Sequence, residues 1–141
     1  MEVPGLLAID HVGIAVSDLD SAIAFYRDVL GLRLAHIEVN EQQGVQEAMM
    51  YVGDSGSSIQ LLAPLGPDST IAKFLERSGP GIQQMAYRVA DIEITCTALR
   101  ASGLRLLYER PKVGTAGSLI NFIHPKDAGG VLVELVQSAL P

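Results

Sequence analysis

The chain has 141 residues, a formal net charge of −6 and a pI near 4.9, so it lacks the basic face that neutralising nucleic-acid phosphates requires. Hydrophobic residues make up 48% and charged residues 18%, the balance of a globular domain, and no apolar run approaches the roughly 20 residues needed to cross a bilayer. Neither a nucleic-acid partner nor a membrane span is expected.

The opening segment MEVPGLLAID has no basic n-region and too short an apolar stretch for a secretory signal, so a cytoplasmic location is expected. Ile9–Val16 (IDHVGIAV) alternates and is rich in β-formers, which reads as a strand. Asp18 or Ser17 then caps a helix whose apolar positions Leu19, Ala22, Ile23, Tyr26 and Leu30 fall at helical spacing up to Gly31. Leu32–Val39, Glu47–Val52 and Ser58–Leu62 read as three strands, separated by turns at Asn40–Gly44 and Gly53–Gly56. A helix over Ser69–Ser78 is broken by Gly79-Pro80-Gly81.

The order then repeats. Ile82–Val89 reads as a strand, Asp91–Ala101 as a helix, and Leu104–Glu109, Leu119–His124 and Gly130–Val136 as strands, with turns at Val113–Ser118 and Asp127–Gly130. Cys96, the one cysteine, falls inside the second helix with no partner and reads as a small core residue.

IDHVGIAV and IQQMAYRV are two copies of one unit: Val16 meets Val89, Asp18 meets Asp91 and Leu19 meets Ile92, while LGLRL at Leu30–Leu34 meets SGLRL at Ser102–Leu106 one residue out of step. The expected organisation is one domain of two modules, about 8–63 and 82–137, joined by a helix over about 69–78, with any site between the halves. His11 falls opposite Gln84 (84 − 11 = 73) and Gln60 opposite Glu134 (134 − 60 = 74). Glu134 lies in VLVELV, apolar on both sides of the pleat; it either reaches water from an edge strand or is buried, and a buried carboxylate needs a partner or a metal. His11, Gln60, Gln84 and Glu134 together offer one imidazole, two amide oxygens and one carboxylate, a set suited to a hard or borderline divalent ion such as Co, Mn, Ni or Zn.

These features, with NEQQGVQEAMM at Asn40–Met50, IQLLAPLGPDSTIAKFL at Ile59–Leu75 and INFIHPKDAGGVLVEL at Ile120–Leu135, resemble the vicinal-oxygen-chelate superfamily and, within it, the methylmalonyl-CoA epimerases. The resemblance implies an α+β fold in which two βαβββ modules form a cupped, mostly antiparallel mixed sheet around one divalent ion, most often cobalt. It implies metal ligands at His11, Gln60 and Glu134, with Gln84 where most members carry a second histidine. It also implies a catalytic carboxylate at Glu47 acting with Glu134, an acyl-CoA substrate and a homodimer. Glu47 alone reads equally as the exposed start of a strand. A glyoxalase-type isomerase acting on a thiol adduct and a metal-free binding protein are the competing readings; Gln84 favours the binder, and the acidic pair opposes it. His124 reads as closing a turn, and Lys73 and Lys126 as candidates for the rim.

Overall fold

In the computed structural model, which describes residues 5–139, the chain has the expected α+β class. Eight strands and three α-helices are present among the described residues: β1 (Leu6–Ala15), α1 (Leu19–Ala24), β2 (Arg33–Asn40), β3 (Val45–Val52), β4 (Ser57–Pro64), α2 (Thr70–Ser78), β5 (Gly81–Val89), α3 (Ile92–Ala101), β6 (Lys112–Val113), β7 (Leu119–Ile123) and β8 (Val133–Gln137). Residues 1–4, part of the segment read for a secretory signal, lie outside the described range. None of the described helices is long and apolar enough to cross a membrane.

Two compact units form, one of His11–Gln83 and the other of the described residues before and after it; the division falls within β1 and β5. In the His11–Gln83 unit the strands run β2-β3-β4-β1, with β4 parallel to β1 and the other neighbours antiparallel. In the other unit they run β5-β8-β7-β6, with β5 parallel to β8 and the others antiparallel. The repeat read from the sequence is therefore a repeat of topology: a helical connection follows the first strand of each unit, and the last strand returns parallel to the first, as a crossover allows.

α1 and α3 each start at the aspartate that the repeat aligns. Asp18 accepts from the Asp20 amide and from Ser21 Oγ at 2.7 Å, and Asp91 accepts from the Ile94 amide at 3.1 Å, so each side chain satisfies an N–H that the helix cannot. Ser21 holds the Asp18 carboxyl below its usual range. Leu19 and Ile23 pack with Val16, Ala48, Met50, Leu61 and Ala63, and Ile92, Cys96 and Leu99 pack with Val89, Ile123 and Leu135. Burial pushes the Cys96 thiol up, consistent with a core residue and not a nucleophile.

Three elements differ from expectation. The first helix stays α-helical only to Ala24 and widens into a π-turn at Phe25–Val29, closed by Leu30 N–H donating to Phe25 O at 3.3 Å before Gly31 at φ 79°. The expected strand at Leu104–Glu109 is reduced to a bridge between Leu106 and Ile123. Backbone bonds hold its first part, Leu107 N–H donating to Phe122 O at 2.8 Å and Arg105 O accepting from His124 N–H at 2.9 Å, and side chains hold the rest. Asn121 Oδ1 accepts from Tyr108 N–H, Asn121 Nδ2 donates to Tyr108 O, and Arg100 donates to the carbonyls of Tyr108 and Glu109. The last strand also starts later than Gly130, which sits at φ 92°.

Candidate acid/base and metal site

In the His11–Gln83 unit, side chains alternate between a helix-covered face and a second buried face. Val16 and Ile14 of the first-strand region pack with α1, so His11, Gly13 and Ala15 point the other way. The parallel pairing sets Gly13 beside Gln60, and the antiparallel pairing sets Gln60 beside Met49 and Leu62 beside Glu47. His11, Gln60 and Glu47 thus share one face, and all three are buried, at 1%, 4% and 3% exposure. Glu47 is not at an exposed strand start, because β3 begins at Val45. Gln60 Nε2 donates to Glu47 Oε2 at 2.8 Å. An amide used this way on its nitrogen still presents its carbonyl oxygen to a cation.

The other unit repeats this arrangement. Ala86 pairs with Glu134 as Gly13 pairs with Gln60, at the offsets read from the sequence, and Gln84 precedes Ala86 by two residues as His11 precedes Gly13. Gln84 Nε2 donates to Glu134 Oε1 at 2.6 Å, and the two side chains are 5% and 4% exposed. Glu134 does not lie on an edge strand, since β8 runs between β5 and β7. Phe122 stands directly opposite Glu134 on β7 and packs edge-on to Tyr108, so the carboxylate has apolar surroundings beside its amide partner.

Burying a carboxylate is costly unless charge or hydrogen bonds compensate it. Glu47 and Glu134 each accept from a neutral amide, an arrangement that orients the carboxylate without cancelling its charge. A divalent cation would supply that charge, and the donors present fit one: imidazole, amide oxygen and carboxylate, with no thiolate among them.

Several polar residues belong to the scaffold. His124 caps a short turn at Pro125–Asp127, its Nδ1 accepting from Lys126 N–H at 3.1 Å, as expected for a turn-closing residue. Arg105 pairs with Asp127 through two side-chain bonds of 2.9 Å. Sequence reasoning leaves Ser118 in a turn. The alternation Ser118, Ile120, Phe122, ending opposite Glu134, is the signal that places it on the carboxylate's face.

Residues 10–122 match the profile of the Glyoxalase/Bleomycin resistance protein/Dioxygenase superfamily. The chain is similar to the crystal structure of methylmalonyl-CoA epimerase from Mycobacterium tuberculosis, with 56% identity and a TM-score of 0.93 over 99% of this chain and 93% of that one. It is also similar to a Glu-to-Gln variant of Streptomyces coelicolor methylmalonyl-CoA epimerase in complex with 2-nitronate-propionyl-CoA, at 45% identity and a TM-score of 0.92 over 95% and 99%. The ethylmalonyl-CoA/methylmalonyl-CoA epimerase of Cereibacter sphaeroides is 40% identical over 131 residues, 92% of this chain and 96% of the relative.

Proposed function

Because the chain belongs to the glyoxalase/bleomycin resistance protein/dioxygenase superfamily, we propose that it is a methylmalonyl-CoA epimerase, interconverting the (2R) and (2S) forms of its substrate by removing and returning the C2 proton. The observation that carries this reading is the pair of buried carboxylates, Glu47 and Glu134, each oriented by a glutamine amide. Relatives of 40–56% identity bearing that activity support it.

C2 lies between a thioester carbonyl and a carboxylate, so loss of its proton leaves an enolate. Inverting the centre needs a proton acceptor on one face and a donor on the other, because one base returning its proton to the same face restores the starting isomer. Glu47 and Glu134 take these two roles. Gln60 holds the Glu47 carboxylate and Gln84 holds that of Glu134, fixing the angle at which each meets a proton. Low exposure at both positions keeps bulk water off the reacting carbon during the transfer, and each carboxylate trades its proton with solvent between turnovers, so C2 takes up solvent hydrogen.

His11, Gln60, Gln84 and Glu134 would hold one divalent ion, with cobalt the first candidate and manganese, nickel or zinc the others. When bound, such an ion supplies Lewis-acid stabilisation of charge developing on the thioester oxygen. Cytoplasmic location and a homodimeric assembly complete the proposal.

The test is exchange of the C2 proton of methylmalonyl-CoA with deuterated water, followed by NMR on the protein as isolated, after chelator, and after divalent metals are restored. Exchange that stops with chelator and returns with metal is the expected result. No exchange with any metal would overturn the epimerase reading in favour of a glyoxalase-type isomerase or a binding protein.

A further inference from the structure

Glu47 is buried, yet a two-base epimerisation requires it to trade a proton with solvent before the same conversion can run again. Each conversion leaves the acceptor protonated and the donor bare, the reverse of how the cycle began. A path for protons between Glu47 and water is therefore part of the chemistry.

Across the ladder from Glu47, on the edge strand β2, stands Glu38. Directly opposite residues of an antiparallel pair share a face with Cβ atoms about 4.5–5.5 Å apart, which brings two carboxyl groups within direct or one-water reach. His36 is the next residue of β2 on that face, its Nε2 3.4 Å from Glu38 Oε1. The side chains of His36 and Glu38 are 35% and 34% exposed, so the row runs from a buried carboxyl to groups that meet water.

A bulge creates this row. Leu34 pairs with Met50 but His36 with Met49, so β2 carries one residue more than β3 between the two pairs. Leu34 and Met50 pack on the α1 side. Continued without the extra residue, their register would set Ile37 opposite Glu47 and Val39 opposite Val45, and would turn His36 and Glu38 to the α1 side. Ile37 and Val39 are instead exposed. Apolar patterning favours the register that is not adopted, and the one adopted sets an acid and an imidazole beside Glu47. Like charges directly opposite one another also cost stability, and a proton held between two carboxyl groups removes that cost.

The other unit lacks the row. Where LGLRL aligns with SGLRL, Tyr108 answers His36 and Arg110 answers Glu38, as Ile120 answers Glu47. The acid and the imidazole accompany the one base that the repeat does not duplicate.

We propose that Glu38 and His36 relay the proton between Glu47 and water. The inference rests on the epimerase reading. Both residues act through Glu47 and neither touches the substrate. Once Glu47 has taken the C2 proton, its O–H passes that proton to the Glu38 carboxylate, Glu38 passes it to His36 Nε2, and the imidazolium releases a proton to water. Glu47 is then a carboxylate again, with Glu38 and His36 back in their starting charge states. The same steps in reverse recharge Glu47 for the opposite conversion.

Initial rates of epimerisation from each single isomer of methylmalonyl-CoA, measured by chromatographic separation of the two epimers, test the relay on the full chain loaded with the metal that supports exchange. Resetting Glu47 follows product release, so slowing it lowers kcat and spares kcat/KM. Glu38→Gln and His36→Ala should each lose roughly tenfold or more in kcat, as for a lost proton carrier. Their kcat/KM should stay within about twofold of the parent, for both isomers, since one direction strips Glu47 and the other recharges it. Added imidazole should raise kcat in His36→Ala and leave the parent unchanged, because it replaces the missing carrier. Unchanged kcat in either variant, an equal fall in kcat and kcat/KM, or a loss in His36→Ala that imidazole does not relieve would overturn the relay while leaving the epimerase reading intact. A parent chain that epimerises neither isomer would overturn that reading and this inference with it.

Discussion

Glu47 stands opposite Leu62 in one unit, and Ile120 stands opposite Val136 at the equivalent place in the other. Two residues before them, Val45 in the first unit answers Ser118 in the second. The capping aspartates and the pairs Gly13 with Gln60 and Ala86 with Glu134 keep the repeat throughout. The difference teaches where a duplicated scaffold has been specialised. The donors proposed for the metal follow the repeat, whereas Glu47, proposed as a base, departs from it.

The largest effect expected from breaking this asymmetry is at Glu47. Glu47→Gln keeps the size and the contact with Gln60 while removing the base, and should slow C2 exchange by roughly a hundredfold or more. Metal content, measured by elemental analysis, should stay unchanged. Undiminished exchange would remove Glu47 from the reaction and leave the unit difference without a chemical meaning. Glu134→Ala tests the symmetric side. It should lower metal content and exchange together, since the same carboxylate is proposed for both, and retained metal in a folded variant would separate the roles.

Much of this was legible in the sequence because burial of polar residues at matching offsets is a pattern that a scaffold alone does not impose. His11, Gln60, Gln84 and Glu134 sit in strands whose alternation fixes their face. Glu47 was not legible in that way, since it has no acidic partner in the repeat, and only the resemblance singled it out. Ser118 was hidden for a different reason: a Gly-rich stretch reads as a turn, and nothing in composition tells a solvated serine from a buried one. The segment at Leu104–Glu109 misled because its apolar alternation is that of a strand, while the backbone groups of Tyr108 and Glu109 at its end are taken by Asn121 and Arg100 from elsewhere in the chain.

Asn121 sharpens the comparison on the stability side. Its equivalent is Ala48, which pairs with Ile37 in an ordinary ladder. Asn121 is fully buried and holds both backbone groups of Tyr108, with Cys96 Sγ as a further, weaker acceptor at 3.7 Å. Asn121→Ala should destabilise by about 2 kcal/mol or more, the cost of leaving buried backbone groups unpaired, seen in urea titration. It should also loosen Tyr108, and with it the aromatic wall against Phe122. A change under half that size would mean that Leu107 N–H donating to Phe122 O suffices to hold the segment.

The smallest effect expected concerns an arginine that the repeat places in both units. Arg33 and Arg105 are equivalent in LGLRL and SGLRL, and each meets an aspartate. Arg33 reaches Asp54 through one contact of 3.4 Å, with side chains 62% and 102% exposed, the kind of pair that contributes little. Arg105 instead grips Asp127 with two side-chain bonds, and its own N–H adds a third at 2.8 Å. Those bonds hold the Asp127 carboxyl well below its ordinary value of 3.8. A carboxyl whose folded value is depressed stabilises the fold above its unfolded value and loses that contribution as pH falls through the folded one. Melting curves from neutral pH to about pH 3 should therefore show Asp127→Asn less stable than the parent at neutral pH, with the gap narrowing below about pH 4. Asp54→Asn should melt with the parent throughout. Identical profiles for the two variants would show that the tight geometry at Arg105 carries no more stability than the loose one, and that the two units differ in their chemistry alone.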